Sequence, residues 1–83
     1  MKLTITYYNV HTQKAYDIMA DREQRIKTTV RVLQETMPEI FDGIEEMVNV
    51  QSTRTKRRIN MEKTYREAGI YQGDILRLEN QGI

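Results

Sequence analysis

Few side chains in this chain could do covalent or metal chemistry. His11 is the single histidine, Ser52 the single serine, and there is no cysteine. With no cysteine and no second histidine, a Cys/His pair or a thiolate or imidazole metal cluster cannot be assembled. The acidic side chains are scattered beside Lys and Arg and read as solvated faces. The one adjacent carboxylate pair, Glu45 and Glu46, would point to opposite sides of a strand. Gly43, Gly69, Gly73 and Gly82 fall at turns and in the tail rather than in a phosphate-cradling loop. The expectation is a non-enzymatic protein with no cofactor and no metal.

What does stand out is charge. Arg54, Lys56, Arg57 and Arg58 put four cations into five residues of a chain whose formal net charge is only +1. Lys63, Arg66 and Arg77 could join them in space. Such a cluster can meet an acidic protein surface or a phosphate backbone. It can also be a solvated turn whose charges discourage strand edges from pairing with other chains. No aromatic residue interleaves the cluster to stack on bases, so a protein partner is favoured over nucleic acid.

Composition sets the frame for these residues. Eighty-three residues make one domain, 1–83, with 79–83 read as a frayed tail. A domain of this size buries only about 60–65% of the surface its unfolded chain exposes, so its core has little redundancy. The lack of cysteine fits a reducing compartment, and no apolar run approaches the roughly 20 residues of a membrane span. The opening MKLTITYYNV does not read as a signal peptide. The expectation is a soluble, cytoplasmic domain without membrane insertion.

The elements follow from periodicity. Leu3, Ile5 and Tyr7 alternate with Thr4, Thr6 and Tyr8, predicting a strand over Lys2–Asn9. Tyr16, Ile18 and Ala20 alternate with Ala15, Asp17 and Met19, and the short polar link Val10–Gln13 makes the two runs a hairpin. Asp21 and Gln24 have capping-box spacing. Ile26, Val30, Leu33 and Met37 recur at helical steps, so a helix is expected over Arg22–Thr36, ended by Pro38. Pro38–Glu46 is a connection turned by Gly43, its Ile40, Phe41 and Ile44 packing under the helix end. A third strand is expected over Met47–Ser52 with Val48 and Val50 inward, then the basic turn Arg54–Arg58 and a short fourth strand at Ile59.

The final stretch, Thr64–Leu78, is the most structured reading. Thr64 and Glu67 have capping-box spacing, Gly69 suits a left-handed stop, and Gly73-Asp74 turns the chain into a strand with Leu76 and Leu78 on one face. So apolar a strand belongs in the centre of a sheet. The outward sheet face would carry Tyr8, Met19 and Ile75, which with Arg54, Lys56, Arg57 and Arg58 form the candidate partner-binding set. The fold class is α+β, a roll with a mixed four- to five-stranded sheet covered by one main helix.

That order of elements resembles the β-grasp, or ubiquitin-like, fold, most closely through TYREAGIYQGDILRL and the helix face Ile26, Val30 and Leu33. Within it, Arg25-Ile26-Lys27, Ile40-Phe41-Asp42 and Gly73-Asp74-Ile75-Leu76-Arg77-Leu78 resemble the YukD/EsaB family of small type VII secretion proteins. The resemblance implies a cytoplasmic accessory component of a bacterial secretion machine, with secretion components as partners. A nucleic-acid or phosphate-binding regulator using the basic turn is the alternative. A covalent modifier or sulfur carrier is weaker still: such relatives end in Gly-Gly, whereas this chain carries a single Gly82 followed by the bulky Ile83.

Overall fold

The computed structural model describes residues 2–47 and 49–80. Two long alternating runs open the chain as antiparallel strands, β1 (Lys2–Asn9) and β2 (Lys14–Asp21), with Leu3 opposite Ala20, Ile5 opposite Ile18 and Tyr7 opposite Tyr16. Period-2 alternation places those pairs on one face, and Leu3, Ile5, Tyr7 and Ala20 are buried there. The helix α1 spans Ile26–Thr36, a 3-10 turn follows over Pro38–Phe41, and β3 (Asn49–Ser52), β4 (Arg58–Asn60) and β5 (Ile75–Leu78) complete the sheet.

The sheet order is β2-β1-β5-β3-β4. β5 lies parallel to β1, Thr6 opposite Ile75 and Tyr8 opposite Arg77, and antiparallel to β3. The last strand therefore holds the centre, as its composition demands: Leu76 and Leu78 are fully buried. Ile26, Val30 and Leu33 of α1 join Val50, Ile59, Ile40 and Phe41 in the same core. Inside it the hydroxyls of Tyr7 and Tyr65 are hydrogen-bonded, 2.7 Å apart. Burial, with the neighbouring Tyr65 hydroxyl adding to it, keeps Tyr7 un-ionised well past the ordinary phenol range. Among the described residues, no helix is long and apolar enough to cross a membrane.

Three boundaries differ from the sequence reading. The helix starts at Ile26, not Arg22, and Asp21 with Gln24 is no capping box. Instead Asp21 Oδ1 accepts the N–H of Glu23 at 2.8 Å and Asp21 O accepts that of Gln24 at 3.0 Å, a local turn. Arg25 is extended and gives α1 no side-chain cap. The unpaired N–H groups of Ile26 and Lys27 donate to the carbonyls of Lys63 and Met61, at 3.0 and 2.9 Å, so a distant segment caps the helix. The third strand begins at Asn49 rather than Met47, and the expectation for Val48 lies outside the described residues. Arg58 belongs to β4 rather than to the turn.

The stretch after β4 follows its sequence reading. Thr64 N–H donates to Glu67 Oε1 at 2.9 Å, and Glu67 N–H donates to Thr64 Oγ1 at 3.0 Å, a reciprocal capping box around one helical turn. Gly69 has φ +69° and stops that turn.

Candidate interaction surfaces

Three cations of the basic turn, Arg54, Arg57 and Arg58, border one groove, and Lys56 lies apart from them. The turn itself is tightly bonded. Lys56 N–H donates to Ser52 O at 2.8 Å, Ser52 N–H to Arg57 O at 3.0 Å, and the buried Ser52 Oγ accepts Thr55 N–H at 3.3 Å. Lys56 takes a left-handed φ of +59°.

Arg54 stays 44% exposed and borders that groove, but its guanidinium is engaged by structure. Its Nε and Nη2 donate to the two oxygens of Asp74 at 3.0 and 3.2 Å, Nη2 also donates to Gly69 O at 2.7 Å, and the guanidinium lies 4.7 Å from the Tyr71 ring centre. Asp74, buried, accepts Tyr71 N–H as well, at 2.8 Å. Burial, the largest single influence on the Asp74 carboxyl, pushes its pKa up. The hydrogen bonds from Arg54 and Tyr71 and the Arg54 charge together outweigh it and hold the group below the ordinary carboxylate value.

The other cations divide between two sides. Arg57, Arg58 and Lys63 border a groove of about 370 Å³ between the basic turn and the 68–71 segment. Lys56 and Arg77 border a separate hollow of about 340 Å³ with Gln51 and Thr53. Arg66 pairs elsewhere, with Glu23 at 3.0 Å. The side chains of Lys56, Arg57 and Arg58 make no hydrogen bond or ion pair with a described residue.

The outward sheet face carries the apolar candidates, and the register spaces them. Tyr8 lies directly opposite Arg77, and Ile75 opposite Thr6, so Tyr8 and Ile75 are diagonal neighbours within side-chain reach. The row continues from Arg77 to Gln51 and on to Arg58 at the sheet edge. Met19, 66% exposed, stands opposite Thr4. The hydrogen-bonded pair Thr6 Oγ1 to Asp17 Oδ1, at 2.7 Å, separates it from Ile75.

The remaining chemically interesting residues have positions of their own. The His11 ring lies over Gly43 (φ +80°), where any Cβ would collide with it. Glu45 and Glu46 are exposed, and their backbone N–H groups donate to Asn80 Oδ1, at 2.6 and 3.4 Å, while Asn80 Nδ2 donates to Gly43 O at 2.8 Å. Of the tail read as frayed, Asn80 is thus tied to the connection after the helix; Gly82 and Ile83 lie outside the described residues.

Sequence reasoning missed Asn9, Tyr71 and Asp74. Asn9 is fully buried and satisfied at four points: Nδ2 donates to Ile40 O and Asp42 O, each at 2.9 Å, and Oδ1 accepts His11 N–H at 2.8 Å and Thr12 N–H at 3.1 Å. Its place where a strand meets a polar link was the available signal, since Asn side chains organise turns there.

No protein-family model matches this chain, and no curated protein matches it. Among solved structures, a designed protein based on ubiquitin is similar, with a TM-score of 0.73 over 99% of this chain and 92% of that one, at 18% identity. At that identity the likeness bears on architecture alone. The strand order, the parallel β1–β5 pair, the single main helix and this likeness agree: the chain has the ubiquitin-like β-grasp fold.

Proposed function

We propose that this chain is a non-enzymatic, ubiquitin-like accessory component of a bacterial type VII secretion system, working in the cytoplasm by protein–protein contact. The secretion assignment is supported by the segments Arg25-Ile26-Lys27, Ile40-Phe41-Asp42 and Gly73–Leu78, which resemble the YukD/EsaB family. The contact mode is supported by one observation above others: β1 and β5 place Tyr8 and Ile75 at diagonal positions on the outer sheet face, with Arg77 opposite Tyr8. An apolar pair with a cationic rim is the anatomy of a protein contact, where the anchors set lifetime and the rim charges set encounter rate.

A nucleic-acid or phosphate-binding role is the second reading, favoured by the unpaired side chains of Lys56, Arg57 and Arg58. One experiment separates the two. The tagged chain is used to capture purified secretion components and, at the same ionic strength, duplex DNA and single-stranded RNA. Retention of a secretion component that Ile75→Ser weakens supports the proposal. Tight nucleic-acid binding with no retention of any secretion component overturns it.

A further inference from the structure

We propose that the groove between the basic turn and the 68–71 segment is a second contact site, and that it takes an extended peptide segment in which acidic and apolar residues alternate. This rests on the reading that the chain works by protein contact, and it names a surface that meets the outer sheet face only at Arg58. The groove, about 370 Å³, is walled by Arg57, Arg58 and Lys63 and floored in part by Ile59, Ala68 and Tyr71.

Three observations select the occupant. The first is charge. Arg57 and Arg58 have unengaged side chains at the groove. Glu67 also borders it, but its Oε1 is held by Thr64 N–H. Its carboxyl is kept below the ordinary value first by that backbone bond and also by the charges of Arg25 and Lys63. The net field in the groove is positive and suits an anion.

The second is the lack of a backbone cradle. A compact phosphate site is usually built from converging free N–H groups. Here those of Thr55, Lys56 and Arg57 are taken by Ser52 Oγ, Ser52 O and Thr55 Oγ1. Those of Gly69, Ile70 and Tyr71 are taken by Arg66 O, Tyr65 O and Asp74 Oδ2. The cations that remain are side chains along the groove, Arg57, Arg58 and Lys63, which matches carboxylates spaced along a peptide better than one concentrated phosphate.

The third is the aromatic residue. Tyr71 is 59% exposed, and Arg54 covers one face of its ring at 4.7 Å. Stacking of successive bases needs a platform of free aromatic faces. A single ring, half covered, offers instead an edge of apolar surface beside Ala68 for an aliphatic residue lying between two acids.

The test is a titration of the isotope-labelled full chain, followed by amide NMR shifts, with three probes. One is a ten-residue peptide alternating Glu and Leu, one its Lys-for-Glu counterpart, and one a single-stranded oligonucleotide. The acidic peptide is expected to move the amides of residues 55–59 and 68–71. The combined variant Arg57→Ser, Arg58→Ser, Lys63→Ser should weaken it about tenfold, as loss of several exposed ion pairs of modest strength implies. Its urea midpoint should stay close to the wild-type value, because these side chains hold no hydrogen bond to a described residue and the Lys63 charge acts on the exposed Glu67 only weakly. Ile75→Ser should leave peptide binding unchanged, while it weakens capture of a secretion component; that split keeps the two surfaces distinguishable. Equal binding of the acidic and basic peptides, shifts confined to the outer sheet face, or tighter binding of the oligonucleotide would overturn the proposal.

Discussion

Arg54 and Asp74 form a two-point pair that joins the basic turn to the turn before β5, with Nε to Oδ1 at 3.0 Å and Nη2 to Oδ2 at 3.2 Å. Surface ion pairs are worth little when both partners are free to move. This one differs because Asp74 is buried and also holds Tyr71 N–H, while the same Arg54 nitrogen reaches Gly69 O. Arg54→Ser should therefore lower the urea midpoint clearly, whereas Arg57→Ser and Arg58→Ser should leave it within error of wild type. Arg54→Lys should rescue only part of the loss, because an ammonium cannot make a planar two-point pair. Equal midpoints for the three Ser variants would show that the clasp contributes nothing.

The same pair gives stability a pH dependence whose sign is fixed. A carboxyl held low in the folded state adds stability above its unfolded pKa, about 4. That stability is lost as pH falls through the folded value. Asp74 and Glu67 are both held low, so the urea midpoint should be flat near neutrality and fall on acidification below about pH 4. Asp74→Asn should start from a lower midpoint and lose part of the acid dependence. An Asp74→Asn profile parallel to wild type at every pH would remove Asp74 from the account.

Asn9 should be the costliest polar position in the fold. Asn9→Asp keeps the acceptor for His11 and Thr12 but turns an oxygen toward the carbonyls of Ile40 and Asp42. A buried polar group left unpaired costs about 1–3 kcal/mol, and more where a charge is involved. Asn9→Asp is thus expected to destabilise by at least about 2 kcal/mol. Asn9→Ala should in addition speed amide exchange at His11 and Thr12, which lose their acceptor. Unaltered exchange there would show that the turn is held by other bonds.

What the sequence made legible, and what it hid, divides along local and tertiary causes. Leu76 and Leu78 announce a central strand because alternation is a local property. Thr64, Glu67 and Gly69 announce a capped turn because the bonds lie within six residues. The start of α1 was hidden because its N–H groups are satisfied by Lys63 and Met61, more than thirty positions away. The basic cluster was legible as charge but not as geometry. Of four cations in five residues, Lys56 parts from the other three, and only the position of Asp74 shows that Arg54 is a strut. Asn9 looked like the polar end of a strand, and its burial depends on where the Pro38–Phe41 turn lands.

Core and turn substitutions separate packing from backbone strain. Leu76→Ala and Leu33→Ala each remove a buried side chain and should cost about 2–5 kcal/mol. Gly69→Val removes none, and a Cβ there would meet nothing within 4 Å. Its cost should come only from the left-handed φ, about 1–3 kcal/mol. Gly69→Asn should cost less than Gly69→Val, since Asn tolerates that region and a β-branched residue does not. Urea midpoints ordered otherwise, with Val at least as stable as Asn, would contradict the assigned conformation.

The outer sheet face gives the last prediction, and the register sharpens it. Tyr8 and Ile75 are diagonal neighbours, whereas Met19 is set apart behind Thr6 and Asp17. A partner that buries the Tyr8–Ile75 pair gains a contiguous apolar centre beside Arg77, and Met19 falls at its margin, where contacts carry little energy. With a secretion component captured on a surface, Ile75→Ser and Tyr8→Ala should each raise the dissociation rate about tenfold, the effect of losing one apolar anchor. Met19→Ser should change it less than about twofold, since truncating a marginal contact costs little. Replacing Lys56 with Ser should act mainly on the association rate and reduce its salt dependence, because an exposed charge steers the encounter more than it holds the complex. Arg54 is left intact in all of these variants so that binding is read on a folded domain. Dissociation governed by Met19, with Tyr8 and Ile75 silent, would move the contact to the β2 edge and away from the centre of the sheet.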